Sequence, residues 1–295
     1  MTKDMTEFLD PRNDIAFKKI FGEARNKDIL LHFLNDVLHK EGIEVIIDVV
    51  IINPIQLPEI VDKKESIVDV LCTDGSGVQY IVEMQVSGRK GFEKRAQYYA
   101  AKAYSRQANK SGVYHDLRGV IFLAILDFVM FPEKKDYIST HWILDKQSYE
   151  RDLKDFHFTF IELPKFTKTD PKELSTYEEK WCYFFKHGGE PENMRNFLSS
   201  ITDESKIIQK AYEALEAHNW SETELLQYDR MELMNMDMRA REEYIIDEAE
   251  ARGEIRGIEI GKIKVAQLMK KQGFSNEQTA LYTQLPLTQI EQLFD

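Results

Sequence analysis

Residues 66–86 read SIVDVLCTD, then GSG, then VQYIVEMQV. Two runs of β-branched and aliphatic residues flank a Gly-Ser-Gly turn, which is the signature of a β-hairpin. Each run is interrupted by an acid, Asp69 in the first and Glu83 in the second, and Gln85 follows two residues later. The pattern is D-x13-E-x-Q. A carboxylate in a strand of Val, Ile and Leu is costly unless something pairs with it. Side chains alternate along a strand, so the register decides whether the two acids meet. They meet if paired positions sum to 152 (69 with 83). A three-residue loop at 75–77, with glycine in the left-handed region, gives that register. A two-residue loop centred on Gly75 and Ser76 sets Asp69 against Val82 and sends the acids to opposite faces.

Two carboxylates on one face make a seat for a hard divalent cation. Mg²⁺ takes oxygen ligands, keeps several waters and suits phosphate chemistry, so phosphodiester cleavage is the reaction this pattern suggests. A hairpin with solvated acids is the alternative; the apolar flanks weigh toward a site. Gln85 lies on the same face as Glu83. Its amide can hold a water or a phosphate oxygen, but it is neither a cation nor a general base.

Upstream, DPRNDIAFKKIFG predicts a first helix ending near Gly22, and KDILLHFLNDVLHKEG a second with apolar residues at helical spacing. Asp14 stands in the first turn of the first helix. By spacing alone it reads as a cap; it is also the candidate third acid. Residues 43–60, rich in β-branched residues and bounded by prolines, predict a strand or a bent strand pair.

Downstream of the hairpin, residues 89–110 carry seven Lys or Arg and one Glu. Arg95, Lys102 and Arg106 fall at i, i+7 and i+11, along one line of a helix with Tyr98 and Tyr99 between them. Ala96, Ala100 and Ala103 give the opposite side small residues that can sit on a sheet. Such a helix can bring a nucleic-acid backbone to the acids; a merely solvated face is the alternative. A buried strand is expected in GVIFLAILDFVMF, and two more in DYISTHWILD and FHFTFIELP. From about Pro171 the pattern is helical to the end, which places a domain boundary between 1–168 and 169–295.

The chain has 295 residues, 43% hydrophobic and 31% charged, which fits an ordinary folded protein. No apolar run approaches the roughly 20 residues of a membrane span, and the N-terminus lacks the apolar core of a signal peptide. Cys72 and Cys182 lie far apart without CxxC spacing, so neither a disulfide framework nor a zinc site is expected, and the cytoplasm is the expected location. The histidines form no HExxH pattern, and GxSxG, Walker and GxGxxG motifs are absent. The net charge of −12 argues against generic nucleic-acid binding, but residues 222–259 alone hold twelve acids against five bases, so the average hides segregation.

Within the tail, Gly253, Gly257 and Gly261 recur every four residues in one long helical stretch. Each costs a helix about 1 kcal/mol relative to Ala. The stretch is either a pliable helix or a face for self-association, the latter predicting a homodimer. The end, GFSNEQTALYTQLPLTQIEQLF, predicts two short helices packed through Ala280, Leu281, Leu285, Leu287, Ile290 and Leu293. It has the outline of a helix-turn-helix, but no Lys or Arg follows Lys271, which favours a small interaction or capping motif.

This ordered series of blocks resembles the PD-(D/E)XK nuclease superfamily, in the variant carried by the Rpn-type recombination-promoting nucleases, a transposase-related group. The resemblance runs from DPRNDIAFKKIFG through LLHFLNDVL, EMQV, KRAQYYAAKAYSRQ, ILDFVMFP and IELPKF to the glycine-spaced helix and GFSNEQTALYTQLPLTQIEQL. It implies an α/β fold with an αβββαβ core and a mixed central sheet, followed by an all-helical C-terminal region. It implies a metal-dependent DNA endonuclease, with Mg²⁺ as cofactor (Mn²⁺ or Ca²⁺ as substitutes) and DNA as partner. Asp69, Glu83 and Asp14 would hold the metal, which reverses the reading of Asp14 as a cap. Gln85 would stand where the superfamily has lysine; Lys18 and Lys19 are the nearby cations. Arg95 and Gln97 would sit on the helix lining the cleft, where the spacing of Arg95, Lys102 and Arg106 already points to contact with DNA. Because Gln85 departs from the pattern, a DNA-binding or self-associating protein with little catalysis is the second function class.

Overall fold

The structure, a computed structural model, describes residues 8–39, 45–52, 55–56, 66–88, 90–108, 113–200 and 206–294. It divides into two compact units, Met1–Asn235 and Met236–Asp295.

The first unit is built on a six-stranded mixed sheet. Its strands are β1 (Val49–Ile52), β4 (Val70–Asp74), β5 (Gln79–Gln85), β6 (Val120–Leu126), β7 (Ile138–Trp142) and β8 (Phe156–Glu162). The lateral order is β1-β4-β5-β6-β8-β7. The pairs β5–β6 and β6–β8 are parallel, and the rest are antiparallel. β2 (Ile55–Gln56) and β3 (Ser66–Ile67) form a separate two-stranded ribbon, so the expected bent strand pair is realised in part by β1 and β2. Residues 43–44, 53–54 and 57–60 of that stretch lie outside the described residues.

Helices cover both faces of the sheet. On one side α1 (Asp14–Phe21), α2 (Lys27–Val37), α4 (Tyr177–His187) and α6 (Lys206–Glu213) bury Phe17, Phe21, Phe33, Trp181 and Phe185 against Val70, Cys72, Val82 and Met84. On the other side α3 (Phe92–Ser105) lays Phe92, Ala96, Ala100 and Ala103 on Leu71, Ile81, Phe122 and Leu126. The three alanines let the helix backbone approach closely. β6 is buried along its whole length, as a central strand with parallel neighbours and helices on both faces must be. The run α1, β1, β4, β5, α3, β6 is the expected αβββαβ core.

The buried core continues past residue 168, because α4 and α6 contribute Trp181, Phe184, Phe185, Ile208 and Ala211 to the same cluster as α1 and α2. α5 (Pro191–Ser200) adds Phe197. Cys72 and Cys182 are buried free thiols, and burial pushes the Cys72 thiol up to about 12. α7 (Glu222–Lys271) begins in this unit.

In the second unit α8 (Asn276–Thr283) and α9 (Leu287–Phe294) pack against α7 through Ala266, Ile263, Ala280, Leu285 and Ile290. A capping box between Ser275 and Gln278 starts α8. Leu281, Leu287 and Leu293, expected in this small core, are exposed instead. Two eight-residue helices bury only one narrow stripe each, and these leucines fall outside it.

The hairpin decides where the site lies. Val70 pairs with Val82, Leu71 with Ile81, Cys72 with Tyr80 and Thr73 with Gln79, so every pair sums to 152. The Asp74 and Val78 backbones close a loop of three residues, 75–77, with Gly77 at φ +87°. Only glycine occupies that region at low cost. Residues 66–74, expected as a single strand, are interrupted. The chain bends at Asp69, between β3 and β4.

Candidate active site

The bend at Asp69 has a local cause. The Asp69 N–H donates to Glu83 Oε1 at 3.2 Å, and the Met84 N–H donates to Asp69 Oδ2 at 2.9 Å. Carboxylates therefore accept from backbone donors that a continued ladder would have satisfied. The strand ends where the acids begin, and Asp69 and Glu83 are locked beside each other. Glu83 is 3% exposed.

α1 brings the third acid. Its N-cap is Asn13, whose side chain accepts from the Ile15 N–H, so the capping role falls to Asn13 and not to Asp14. Asp14, one residue on, is left to face the hairpin. Lys18, one turn later, shares its face. Its Nζ donates to Asp14 Oδ2 at 2.8 Å and lies 3.4 Å from Asp69 Oδ1. Lys19 is turned away. It is buried, paired with Glu224 at 2.5 Å, and its ammonium lies 4.1 Å from the Trp220 ring centre. Of the two cations proposed from sequence, the fold brings Lys18 to the acids.

Gln85 is held on both sides of its amide. Its Nε2 donates to Glu83 Oε2 at 3.2 Å and to the Met84 carbonyl at 2.9 Å, while Oε1 accepts from Arg95 Nη2. Arg95 reaches the site from α3 with its guanidinium over the Phe92 ring, 4.7 Å from its centre, and its buried Nε has no hydrogen-bond partner among the described residues. Asp14, Asp69, Glu83, Gln85 and Arg95 thus come together at the C-terminal end of β5. Lys102 and Arg106 lie farther along α3, with Arg106 roughly 16 Å from Arg95 along the axis. Lys102 is half-buried, 5.9 Å from the Tyr98 ring centre, and Arg106 is the exposed C-cap. Gln97 is exposed, and its amide donates to the Glu93 carbonyl of its own helix.

The electrostatics follow from crowding. Asp69 is pushed up to about 7, by burial first and then by the Asp14 carboxylate; Lys18 and the Met84 N–H oppose this only in part. Glu83 is raised well above the usual carboxylate range by burial and by Asp69. Burial works against the Lys18 charge, but Asp69 and Asp14 outweigh it, so its pKa rises. Tyr99 on α3 is raised by burial and then by Glu83. Its phenol was legible only as a neighbour of the basic line, and the alternation of strand faces does not reveal that it borders the acids.

Among the described residues no three His, Cys, Asp or Glu side chains are grouped to hold one metal ion as they stand. The donor set still fits a hard cation in kind, because it is carboxylate oxygen throughout. A cation also lies against Asp14 and Asp69, in the form of the Lys18 ammonium. A cleft of about 530 Å³ lies at the turn end of the hairpin, lined by Asp74, Ser76, Gly119 and His157, and holds none of these residues.

Among the described residues no helix is long and apolar enough to cross a membrane. No curated protein and no solved structure matches the chain. A family model described as PD-(D/E)XK nuclease family transposase matches residues 11–245, which takes in the sheet, α1, α3 and all five residues brought together at β5. The chain belongs to that family.

Proposed function

We propose that this protein is a Mg²⁺-dependent DNA endonuclease that promotes recombination, and that Asp69, Glu83 and Asp14 hold the ion. The observation that carries the reading is the pair of buried carboxylates, Asp69 and Glu83, locked beside each other by the Asp69 and Met84 N–H groups, with Asp14 joined to Asp69 through Lys18. Bound there, the ion would supply Lewis-acid polarisation of a phosphoryl oxygen and offset negative charge in the transition state. Asp69 and Glu83 would be held in place by the backbone contacts between Asp69 and residues 83–84. Gln85 orients Glu83 and links it to Arg95. Arg95, held by Gln85 and over the Phe92 ring, would meet a phosphate of the DNA backbone. Lys102 and Arg106, farther along α3, would draw the DNA backbone across the site.

Supercoiled plasmid DNA with Mg²⁺ or Mn²⁺ tests this. The wild-type protein should nick or linearise it. Asp69→Asn and Glu83→Gln should each lower the rate by more than about a hundredfold, since even residues that merely support metal ligands are worth up to that much. Equal cleavage by the wild type and both variants would contradict the assignment.

A second reading keeps the same fold as a DNA-binding protein with little catalysis. It is favoured by Gln85, whose amide is already engaged within the protein and supplies neither charge nor base. DNA binding without cleavage across Mg²⁺, Mn²⁺ and Ca²⁺ would decide for it. We also propose a homodimer through the C-terminal part of α7. There Ile255, Ile258, Val265 and Leu268 are exposed, and the sides of Gly253, Gly257 and Gly261 are open. Truncation after Met238 should convert a dimer to a monomer in light scattering; an unchanged oligomeric state would count against it.

A further inference from the structure

We propose that the Lys18 ammonium is the built-in counter-cation of this acidic site, holding Asp14 against Asp69 until a divalent cation displaces it. The inference rests on the metal-site reading above and adds the element that controls access to it.

The geometry sets Lys18 apart from the other cations nearby. Asp14 and Lys18 are one turn apart on α1. The Lys18 Nζ touches both carboxylates, at 2.8 Å and 3.4 Å. Adjacent carboxylates repel unless a cation stands with them. Arg95 cannot take that place, because Gln85 and the Phe92 ring fix its guanidinium. Lys19 cannot either, because Glu224 and Trp220 hold it on another side of α1. Lys18 is also built to leave. Its side chain is 35% exposed, against 7% for Lys19, so its ammonium can swing into water without crossing the core. A lysine is a point charge on a flexible stem and gives up such a position more readily than a forked guanidinium. Two ligands that claim the same acceptors are coupled negatively, and the coupling is reciprocal. Lys18 therefore weakens metal binding, and metal binding frees Lys18.

The test is Mn²⁺ titration of the full-length protein by calorimetry, with Lys18→Met, Lys18→Arg and Lys94→Met compared to wild type. Lys94→Met removes the same charge from an exposed position of α3. Lys18→Met should bind Mn²⁺ about tenfold more tightly than wild type, within the usual range of coupling between two ligands. Lys18→Arg and Lys94→Met should gain nothing. Should Lys18→Met bind equally or more weakly while wild type binds well, Lys18 is no competitor and the inference falls, with the nuclease reading intact. Absence of Mn²⁺ binding to both wild type and Lys18→Met overturns that reading and the inference together. A measurement on unaltered protein covers the case of a variant that misfolds. Amine labelling read by mass spectrometry should show Lys18 reacting faster when Mn²⁺ is added, with Lys19 unchanged; equal Lys18 labelling with and without Mn²⁺ overturns the inference.

Discussion

The backbone N–H of Asp69 donates to the carboxylate of Glu83 at 3.2 Å. Across the same junction the Asp69 carboxylate accepts from the Met84 N–H at 2.9 Å. This exchange converts the end of a strand pair into a pair of aligned acids. It depends on the hairpin register, and so on the loop at 75–77. Deleting Ser76 from that loop should slip the register by one residue and send Asp69 and Glu83 to opposite faces. The shortened protein should lose both Mn²⁺ binding and cleavage, measured by calorimetry and plasmid nicking.

Gly77 tests the same loop more gently. Its φ is +87°, and a Cβ there would meet the Arg118 side chain at 3.0 Å. Gly77→Ala should destabilise the first unit by about 1–2 kcal/mol, the cost of a left-handed L-residue. Urea unfolding reads this directly.

The acids were legible in the sequence because alternation and register are local rules. D-x13-E across a Gly-Ser-Gly turn leaves few pairings, and one of them aligns Asp69 with Glu83. The bend at Asp69 was not legible, because it arises from side-chain acceptors replacing a ladder partner, and no propensity encodes that. Asp14 illustrates the middle case. Spacing favoured a cap, but Asn13 stands next to it and caps better placed. The choice between Lys18 and Lys19 was closed to sequence, since it depends on Glu224 and Trp220, roughly two hundred residues away. The small core of α8 and α9 was overestimated because periodicity marks a stripe without its width.

Stability should depend on pH through Asp69. Its folded pKa is about 7, above the ordinary 3.8. Between those values the folded state binds more protons than the unfolded one, so stability falls as pH rises from about 4 to about 7 and stays lower above. Without metal, wild-type protein should melt at a higher temperature near pH 5 than near pH 8. Asp69→Asn should flatten this dependence and raise the melting temperature near pH 8. Mg²⁺ should raise the wild-type melting temperature near pH 8 more than near pH 5, because protons compete for the same oxygens.

Asn13 ties α1 to α7. Its side chain caps α1 and donates to Glu232 Oε1 at 2.7 Å and to the Tyr228 carbonyl at 3.3 Å. Asn13→Ala should cost at least about 1 kcal/mol from the cap alone, seen in urea unfolding. Glu232→Ala, which leaves the cap intact, should cost less.

DNA binding should trace the line of α3. Lys102→Ala and Arg106→Ala should each weaken binding of a short duplex and lower the slope of log affinity against log salt by about 1, if each contacts one phosphate. Fluorescence anisotropy over a salt series provides the slope, and an unchanged slope in both variants would remove α3 from the interface.

Asp69 and Glu83 are expected to share a divalent ion with Asp14. Crystals of the full-length protein soaked in Mn²⁺ test it through the anomalous signal of the metal. The expected result is a peak bounded by the carboxylates of Asp69, Glu83 and Asp14, with the Lys18 ammonium moved away from Asp14. No peak between Asp69 and Glu83 at saturating Mn²⁺, with Lys18 still on Asp14, would contradict it.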